Sequence, residues 1–377
     1  MKIAIVTLPL HTNYGGVLQA YALKRVLENM GHEAQVLDLE QKVRLPKPMK
    51  TPFIYLKRLL QKCLNGKRGP EVLRECRLRW EYPVVSSKIS SFTADYVKPR
   101  VLKSYSQVQE SDYDAYVVGS DQIWRPEYFP WIKDAFLDFA KGWDVRRLSY
   151  AASFGTDELE YEYMLLDECS RLLSQFDAVS VREASGVRIC DEWFDYENAV
   201  HVLDPVMLLP LEHYASIAAK AVSCNERGGI VTYILDRSPA KSNIASFVSR
   251  VTGMELNDVS VYPQDRNIPL ADRVVPPMEE WLCAFVNADF VVTDSFHGCV
   301  LSILFHKPFL VTGNKTRGMA RIETLLETFS LENRLVDGID PDDDGQGWLM
   351  EIDWDKVDAV LEERRNFSMD FLRGALK

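Results

Sequence analysis

Short apolar runs alternate with helix-like stretches along most of this chain, and this alternation restricts its possible folds more than any other feature. The first run, KIAIVTL (2–8), precedes a helix-like stretch from Gly16 to Met30, and AQVLDL (34–39) follows it. Parallel strands joined by a crossover helix form a sheet that is covered on both faces. The pattern therefore predicts an α/β protein built on parallel sheets.

The same alternation occurs in two sets. In the first set, further strands are predicted at 115–120, 147–153, 178–183 and 201–205. After a loop at 225–229, the second set predicts strands at 229–235, 255–262, 290–295 and 308–313. We therefore expect two Rossmann-like domains that face a cleft, with ligands bound at the carboxyl ends of the strands.

A length of 377 residues suits two domains. We predict an N-terminal domain at 1–205 and a C-terminal domain at 206–340. We predict that residues 350–377 form a helix that packs back on the N-terminal domain. A basic helical insertion is predicted at 41–80 within the first domain.

Charge is distributed unevenly along the chain. The formal net charge is −11, yet residues 41–80 contain twelve basic residues against Glu71 and Glu75, so this segment carries +10 and the remainder −21. The negative total excludes a protein that coats nucleic acid. Within the insertion, apolar residues recur at helical spacing among lysines and arginines. This pattern fits a helix lying on an anionic membrane, and it equally fits a solvated insertion packed on the first domain.

Cysteine and histidine usage indicates the compartment. The seven cysteines include no C-x-x-C pair, and the six histidines are dispersed. This distribution predicts reduced thiols in a cytoplasmic protein, without a disulfide framework or a metal site. The opening MKIAIVTLPL is read as a buried strand rather than a signal peptide, and no apolar run reaches membrane-spanning length.

Two clusters of candidate functional residues follow predicted strands of the first domain. Residues 11–16 (HTNYGG) allow close backbone approach to a ligand at a helix N-terminus, or form only a tight turn. Residues 119–124 (GSDQIW) supply a carboxylate, an amide and a ring that suit a sugar. The alternative is a capping aspartate with a core tryptophan.

Three further clusters carry charge or a titratable ring. Residues 180–183 (SVRE) present an arginine that matches carboxylate or phosphate, or one that is only salt-bridged. Residues 293–298 (TDSFHG) place a histidine at a helix N-terminus, for proton transfer or as a core residue. Residues 315–321 (KTRGMAR) put cations on a loop that clamps an anion or is merely solvated.

Six of these stretches together resemble the polysaccharide pyruvyl transferase family. They are NYGGVLQAYAL (13–23), VGSDQIW (118–124), SYAASFG (149–155), VSVREASG (179–186), LDP (203–205) and TDSFHG (293–298). The resemblance runs in order from about residue 3 to 335. It implies a GT-B-like fold with an acceptor-binding N-terminal domain and a donor-binding C-terminal domain.

The resemblance also implies a reaction. The donor would be phosphoenolpyruvate and the acceptor a hexose, with galactose favoured, of a capsule or exopolysaccharide precursor. The product would be a 4,6-linked pyruvate ketal. No metal or organic cofactor is required, because the donor itself supplies the activated group. By family analogy, the acceptor is expected to be linked to undecaprenyl diphosphate. The cysteine pattern predicts a cytoplasmic enzyme, and the basic segment predicts peripheral contact with the inner membrane face through 50–80.

Site residues follow from the matched motifs. His297 is the candidate general acid or phosphate contact, Arg182 binds the donor, Asp294 orients His297, and Asp121 is a candidate base. Donor-binding residues are Arg182, Ser295, Phe296, His297, Gly298 and, from its charge alone, Arg317. Acceptor-binding residues are Asn13, Tyr14, Gly15, Gly16, Gln19, Asp121, Gln122, Trp124 and Ser153.

Two other functions remain open on the sequence. One is a GT-B glycosyltransferase that uses a sugar nucleotide, and the other is a non-catalytic glycan-binding protein of the same fold. A metal hydrolase is disfavoured because acidic residues and histidines do not cluster at ligand spacing.

Overall fold

The computed structural model describes residues 1–40, 51–66, 71–223, 228–314, 317–338 and 347–377. The strands are β1 (Lys2–Val6), β2 (Glu33–Leu39), β3 (Arg100–Leu102), β4 (Ala115–Val118), β5 (Arg146–Ser149), β6 (Ser180–Val181), β7 (Val200–His201), β8 (Ile230–Tyr233), β9 (Leu256–Asp258), β10 (Phe290–Thr293), β11 (Phe309–Thr312) and β12 (Leu335–Val336). The α-helices are α1 (Tyr14–Asn29), α2 (Thr51–Asn65), α3 (Arg74–Val85), α4 (Ser87–Phe92), α5 (Tyr163–Leu173), α6 (Ala184–Phe194), α7 (Leu211–Ala218), α8 (Pro239–Thr252), α9 (Met278–Asn287), α10 (Phe296–Leu304), α11 (Ala320–Phe329) and α12 (Trp354–Ala375).

The strands form two parallel five-stranded sheets. The first has the order β3-β2-β1-β4-β5, and the second has the order β12-β11-β10-β8-β9. The short strands β6 and β7 pair with each other, and isolated bridges join this pair to the segment around β5. Each five-stranded sheet reverses its strand order once, between β1 and β4 and between β8 and β10, and such reversals create a ligand-binding crevice.

Burial explains why these segments are strands. Every residue of β4, β10 and β11 is buried, as expected for parallel strands with helices on both faces. One apolar cluster continues from Ile5 in β1, through Tyr14 and Trp281, to Leu372 in α12. The prediction of two Rossmann-like domains in a GT-B-like arrangement is confirmed.

The predicted basic insertion includes two helices. α2 packs beside α3 through Arg58, which donates two hydrogen bonds of 2.8 Å to Glu75. Most other described side chains of α2 are exposed, and Phe53 is 75% exposed. Residues 41–50 and 67–70 of the predicted insertion lie outside the described residues.

Helix α12 lies against the segment that follows β6. Leu203 N donates a hydrogen bond of 3.0 Å to Ser368 Oγ, and Arg364 Nη2 donates one of 2.9 Å to the carbonyl of His201. Arg146 Nη1 also donates to the carbonyl of Ala375 at 3.3 Å. These contacts tie the end of the chain to residues 146–203, while the domain boundaries themselves stay predictions.

The cysteines differ from expectation at one position. Cys283 is disulfide-bonded, so the prediction of uniformly reduced thiols is wrong there, and its partner lies outside the described residues. Five other described cysteines are free. A search of the described helices finds none with the length and apolarity needed to cross a membrane.

We expect Ser368→Ala to destabilise the protein by about 1–3 kcal/mol, because it leaves the buried N–H of Leu203 without its acceptor. The measurement is urea unfolding followed by tryptophan fluorescence. Ser174→Ala is the matched control, since Ser174 is exposed and bonds only locally to the carbonyl of Arg171. An equal loss in both variants would contradict the role given to the α12 contact.

Candidate functional site

Polar side chains from both domains meet where strands of the two sheets end. Asp121 follows β4, Arg182 follows β6 and Asp204 follows β7 in the first domain. From the second domain, Phe296 and His297 begin helix α10 directly after β10. The predicted clusters at 119–124, 180–183 and 293–298 are therefore brought together at one interdomain face.

The carboxylate of Asp204 lies at the centre of this group. Its Oδ2 atom accepts hydrogen bonds from Arg182 Nη1 at 2.6 Å and Ser120 Oγ at 3.4 Å, and lies 3.6 Å from His297 Nε2. Its Oδ1 atom accepts from Val206 N at 3.0 Å. Burial opposes ionisation of Asp204, but interactions with His297 and Arg182 hold its pKa well below the ordinary value. The site therefore contains a permanent, fully buried negative charge.

Arg182 joins a second carboxylate and an aromatic ring. Its Nη2 atom lies 3.3 Å from Asp121 Oδ1, and its Cζ atom lies 4.5 Å from the centre of the Phe296 ring. Burial alone would raise the pKa of Asp121, but the nearby charge of Arg182 leads the interactions that lower it. Since Phe296 belongs to the second domain, the arginine connects the two domains.

His297 contacts the first domain from the N-terminus of α10. The hydroxyl of Ser295 caps this helix by accepting from Gly298 N at 3.4 Å. The backbone of Gly15 lies so close to the ring that a Cβ atom there would be 2.1 Å from His297 Nδ1. His297 Nε2 is buried and makes no hydrogen bond to any described residue. This nitrogen, 3.6 Å from Asp204 Oδ2, can contact an anion or transfer a proton.

Arg321 is a second buried arginine at the site. Its Cζ atom lies 5.8 Å from the Phe296 ring centre. Burial and then the charge of Arg182 lower the pKa of Arg321 to about 10. In the side-chain orientation that gives both the amide oxygen and the amide nitrogen of Gln122 a partner, the oxygen accepts a hydrogen bond from Arg321 Nη2 at 3.1 Å. Two guanidinium groups therefore share one ring in a region of low exposure.

Glu183 organises the loop that contains Ser153. Its Oε1 atom accepts hydrogen bonds from Phe154 N at 2.7 Å, Gly155 N at 3.2 Å and Ser153 Oγ at 3.1 Å. Burial raises the pKa of Glu183 even though Arg182 lies nearby. Ser153 is thus placed beside the arginine cluster, as part of a loop held by this carboxyl group.

Asp294 does not orient His297, and that prediction is wrong. Its Oδ1 atom accepts from Leu235 N at 2.6 Å, and its Oδ2 atom lies 2.6 Å from Lys241 Nζ. The turn after β8 therefore uses this carboxylate to fix its own backbone. Asp204, from the first domain, faces the histidine instead.

Trp124 and Gln19 are structural in this arrangement, which corrects their assignment to acceptor binding. Trp124 is fully buried, stacks on Phe136 with a centroid distance of 5.1 Å and donates to the carbonyl of Ala135 at 3.0 Å. No face of this ring is left for a sugar. Gln19 is also fully buried, and its Oε1 atom accepts from Ser120 N at 3.0 Å, which fixes the loop that carries Asp121.

A cavity of about 460 Å³ opens beside the buried cluster. Its lining includes Asn13 and Tyr14 from the first domain and Tyr233, Tyr262, Asp236 and Arg317 from the second. Arg317, which was assigned to the donor, pairs with Asp236 at 2.7 Å in this cavity. Aromatic rings with a few polar groups at a domain interface are typical of a small-molecule site.

The sequence-based site omitted Asp204, Glu183 and Arg321, although the chain carried a signal for each. Asp204 belongs to the LDP stretch, Glu183 follows Arg182, and Arg321 ends the cationic run 315–321. The signals did not show which of several charged residues would be buried together. Burial was decided by contacts between segments that are far apart in the chain.

The arrangement combines two arginines, a histidine with an unpartnered nitrogen and a cavity with hydroxyl and carboxylate groups. Guanidinium groups in a site of low exposure bind carboxylates and phosphates strongly. A histidine beside them can move a proton. Within the described ranges, no group of three or more His, Cys, Asp or Glu side chains could hold a metal ion.

Comparison with known proteins identifies the family of this chain. The model of a family described as polysaccharide pyruvyl transferase matches residues 13–316. This match covers most of the chain, including every residue of the buried cluster except Arg321. A search of curated proteins finds no match.

Solved structures report on the fold. Arabidopsis thaliana UGT89C1 complexed with UDP-L-rhamnose superposes with a TM-score of 0.51 at 9% identity, covering 98% of this chain and 97% of that chain. UDP-N-acetylglucosamine 2-epimerase from Rickettsia bellii gives a TM-score of 0.47 at 8% identity, covering 99% and 98%. The first of these supports the two-domain architecture, and at this identity it carries no information on substrate.

We expect Gly15→Ala to lower the free energy of unfolding by about 1–3 kcal/mol, because the new Cβ overlaps the ring of His297. Gly16→Ala is the matched control on the same helical turn, because its Cβ would lie 3.3 Å from Asp121 Oδ2. In a His297→Ala background the Gly15→Ala cost should disappear. A cost that persists there would show that the ring is not the obstacle.

Proposed function

Because the chain belongs to the polysaccharide pyruvyl transferase family, we propose that it transfers the pyruvyl group of phosphoenolpyruvate to a hexose of a cell-surface glycan precursor. The product is a 4,6-ketal, with galactose as the favoured hexose of a capsule or exopolysaccharide. The observation that carries this proposal is the buried contact of Arg182 and His297 with Asp204 at the interdomain face.

The donor needs cations for its carboxylate and its phosphate. Arg182 and Arg321 both lie near Phe296 and each has an Nε atom without a described hydrogen-bond partner. We assign the donor anion to these two guanidinium groups and to His297 Nε2. Ser295 and Gly298 shape this site by capping and starting helix α10. No metal or organic cofactor takes part in the proposed reaction, because phosphate is already the leaving group.

The proposed chemistry moves two hydroxyl protons. His297 gives a proton to C3 of the enol, the first acceptor hydroxyl bonds to C2, and its proton returns to the imidazole. The C2–O bond to phosphate then breaks, which leaves an oxocarbenium-like centre. The second hydroxyl closes the ring at C2 and its proton leaves with the phosphate. Donor and diol therefore become ketal and hydrogen phosphate, with all atoms balanced.

Two carboxylates have positioning roles in this scheme. Asp204 faces His297 and holds Arg182, so it sets the geometry of both groups. Asp121 was the sequence-based candidate for the base. Its lowered pKa makes it a weak base, so we assign it instead to holding Arg182.

The buried cluster also restricts how substrates enter. The side chains of Arg182 and His297 are 1% and 7% exposed. We infer that the two domains separate before the donor binds and that closure then excludes water. We assign the acceptor to the cavity lined by Asn13, Tyr14 and Arg317, because Tyr14 directly precedes Gly15, which contacts His297.

We also propose that α2 contacts an anionic membrane from the cytoplasmic side. Its apolar side chains at 53, 56, 60 and 64 recur at helical spacing and are exposed, with Leu64 84% exposed. Exposed Lys57 and Lys62 lie on the same helix. Apolar side chains with nearby lysines are typical of helices that lie in a membrane interface. Such contact would bring a lipid-linked acceptor to the enzyme.

We expect His297→Ala and Arg182→Lys each to reduce phosphate release from phosphoenolpyruvate and a galactoside by roughly a hundredfold or more. The first removes the proton carrier, and the second keeps the charge but loses the two-point contacts of the guanidinium group. Phosphate release and mass spectrometry of the product are the measurements.

His306→Ala and Arg188→Ala are the matched controls, because both residues are exposed and pair with exposed carboxylates, Asp358 and Glu192. Circular dichroism reports whether each variant is folded. Full turnover in a folded His297→Ala protein would remove this residue from the mechanism. Release of nucleotide from a UDP-sugar, with phosphoenolpyruvate inert, would replace the proposed function with glycosyl transfer.

We expect the triple variant Phe53→Ser/Leu60→Ser/Leu64→Ser to lose about tenfold in binding to phosphatidylglycerol vesicles. Co-sedimentation is the measurement, with phosphatidylcholine vesicles for comparison. The control variant Tyr163→Ser/Met164→Ser removes two equally exposed apolar side chains from α5. Unchanged binding by the triple variant would exclude α2 as the membrane contact.

A further inference from the structure

A second cavity lies between the helical insertion and the C-terminal domain. Its volume is about 400 Å³, and its described lining is Arg58, Glu71, Arg74, Arg77, Gln264 and Arg266. Four of these six side chains are arginines, contributed by α2, by α3 and by the segment after β9. No step of the proposed reaction uses this cavity.

The arginines are held in place by carboxylates. Arg77 donates to both oxygens of Glu71 at 2.8 and 3.0 Å, and Arg266 Nη1 lies 3.6 Å from the same carboxylate. Arg74 is exposed and forms no salt bridge with any described residue. The cavity therefore has a fixed wall and one guanidinium group available for a further anion.

Counting the charges around the cavity gives a net positive charge. The arginines are Arg58, Arg74, Arg77, Arg266 and Arg273, and the carboxylates that they contact are Glu71, Glu75 and Glu81. Hydrogen bonds from arginine lead the interactions that lower the pKa of each of these glutamates, so all three are ionised at neutral pH. Among the described residues, these five cations against three anions leave a charge of two positive, which a phosphate or diphosphate dianion would neutralise.

The arginine cavity adjoins the proposed acceptor cavity. Gln264 lines both cavities. Asp265 lines the acceptor cavity, and Arg266 lines the arginine cavity. A molecule with its sugar among Tyr14, Tyr233 and Tyr262 would therefore extend past Gln264 toward the arginines. α2, which supplies Arg58, also carries the exposed apolar stripe.

We propose that the arginine cavity binds the phosphate or diphosphate group at the reducing end of the acceptor. This inference rests on the proposed function for the identity of the sugar, but the anion site itself does not. The same chemistry occurs in a lipid-linked diphosphate sugar and in a sugar nucleotide, and the experiment below separates them. Guanidinium groups recognise phosphate by paired hydrogen bonds, which fits the residue type found here.

The first test is calorimetric titration of the full-length protein with inorganic pyrophosphate. Arg74→Gln and Arg266→Gln should each weaken binding by roughly tenfold, because each removes a charge-assisted contact. Arg79→Gln is the matched control, since Arg79 is exposed on the same helix but does not line the cavity. Equal affinity in all four proteins would overturn the proposal. This titration needs no turnover, so its result stands whether or not the pyruvyl transfer is found.

The second test compares acceptors at fixed phosphoenolpyruvate. Wild-type kcat/KM should be at least tenfold higher for galactosyl prenyl diphosphate or for UDP-galactose than for methyl galactoside, and Arg74→Gln should reduce that advantage. The prenyl and uridine compounds identify the source of the diphosphate. An advantage that Arg74→Gln leaves intact would overturn the proposal. The proposal would also be overturned if Arg74→Gln lost binding to phosphatidylglycerol vesicles but kept its affinity for pyrophosphate. The arginines would then serve only as a membrane contact.

Discussion

The buried contact between Arg182 and Asp204 is the interaction on which the rest of this site depends. A salt bridge with side chains 1% and 0% exposed loses the solvation of both charges, so removal of either partner leaves an unpaired charge in the interior. The protein compensates through Asp121, Ser120 and the backbone of Val206, which complete the hydrogen bonds around the pair. Such a network is stable only with all its members in place, and these members come from the ends of three strands, β4, β6 and β7.

The pair also governs how the two domains meet. His297 and Phe296 reach Arg182 and Asp204 from the second domain, and Gly15 leaves just enough room for the imidazole. A second contact forms nearby, where Tyr14 stacks on the ring of Trp281 at 4.6 Å and donates to the carbonyl of Pro276 at 2.9 Å. The buried polar cluster is therefore assembled from both domains. Neither domain contains the complete set of groups.

The salt bridges around the arginine cavity are more exposed than the buried pair of Arg182 and Asp204. They belong largely to the helical insertion. Their carboxylates fix the arginines without cancelling the positive charge. Among the described parts of this segment, 51–66 and 71–80, the basic residues include exposed lysines on α2 and a cluster of arginines that faces the C-terminal domain. Net charge of the segment alone could not separate them.

Local patterns were sufficient to predict ten of the twelve described strands and the fold class. Periodicity located β4 and β10, because a parallel strand buried on both faces must be a short, continuous apolar run. It missed β3, a three-residue edge strand in which only Leu102 is buried, and the two-residue strand β12. Asp294 was misassigned because proximity to His297 in sequence suggested contact, whereas the end of β10 directs the carboxylate to the turn after β8.

The sequence by itself determined that two parallel sheets would place Arg182 and His297 at strand ends, since residue type and period are local properties of the chain. Only the tertiary structure decided that Asp204 faces His297, that Trp124 is buried in the core, and that Arg321 shares a ring with Arg182. Each of these contacts joins residues that are distant in sequence or lie on different domains. Burial and the pairing of charges depend on how the sheets are brought together, and no single segment contains that information.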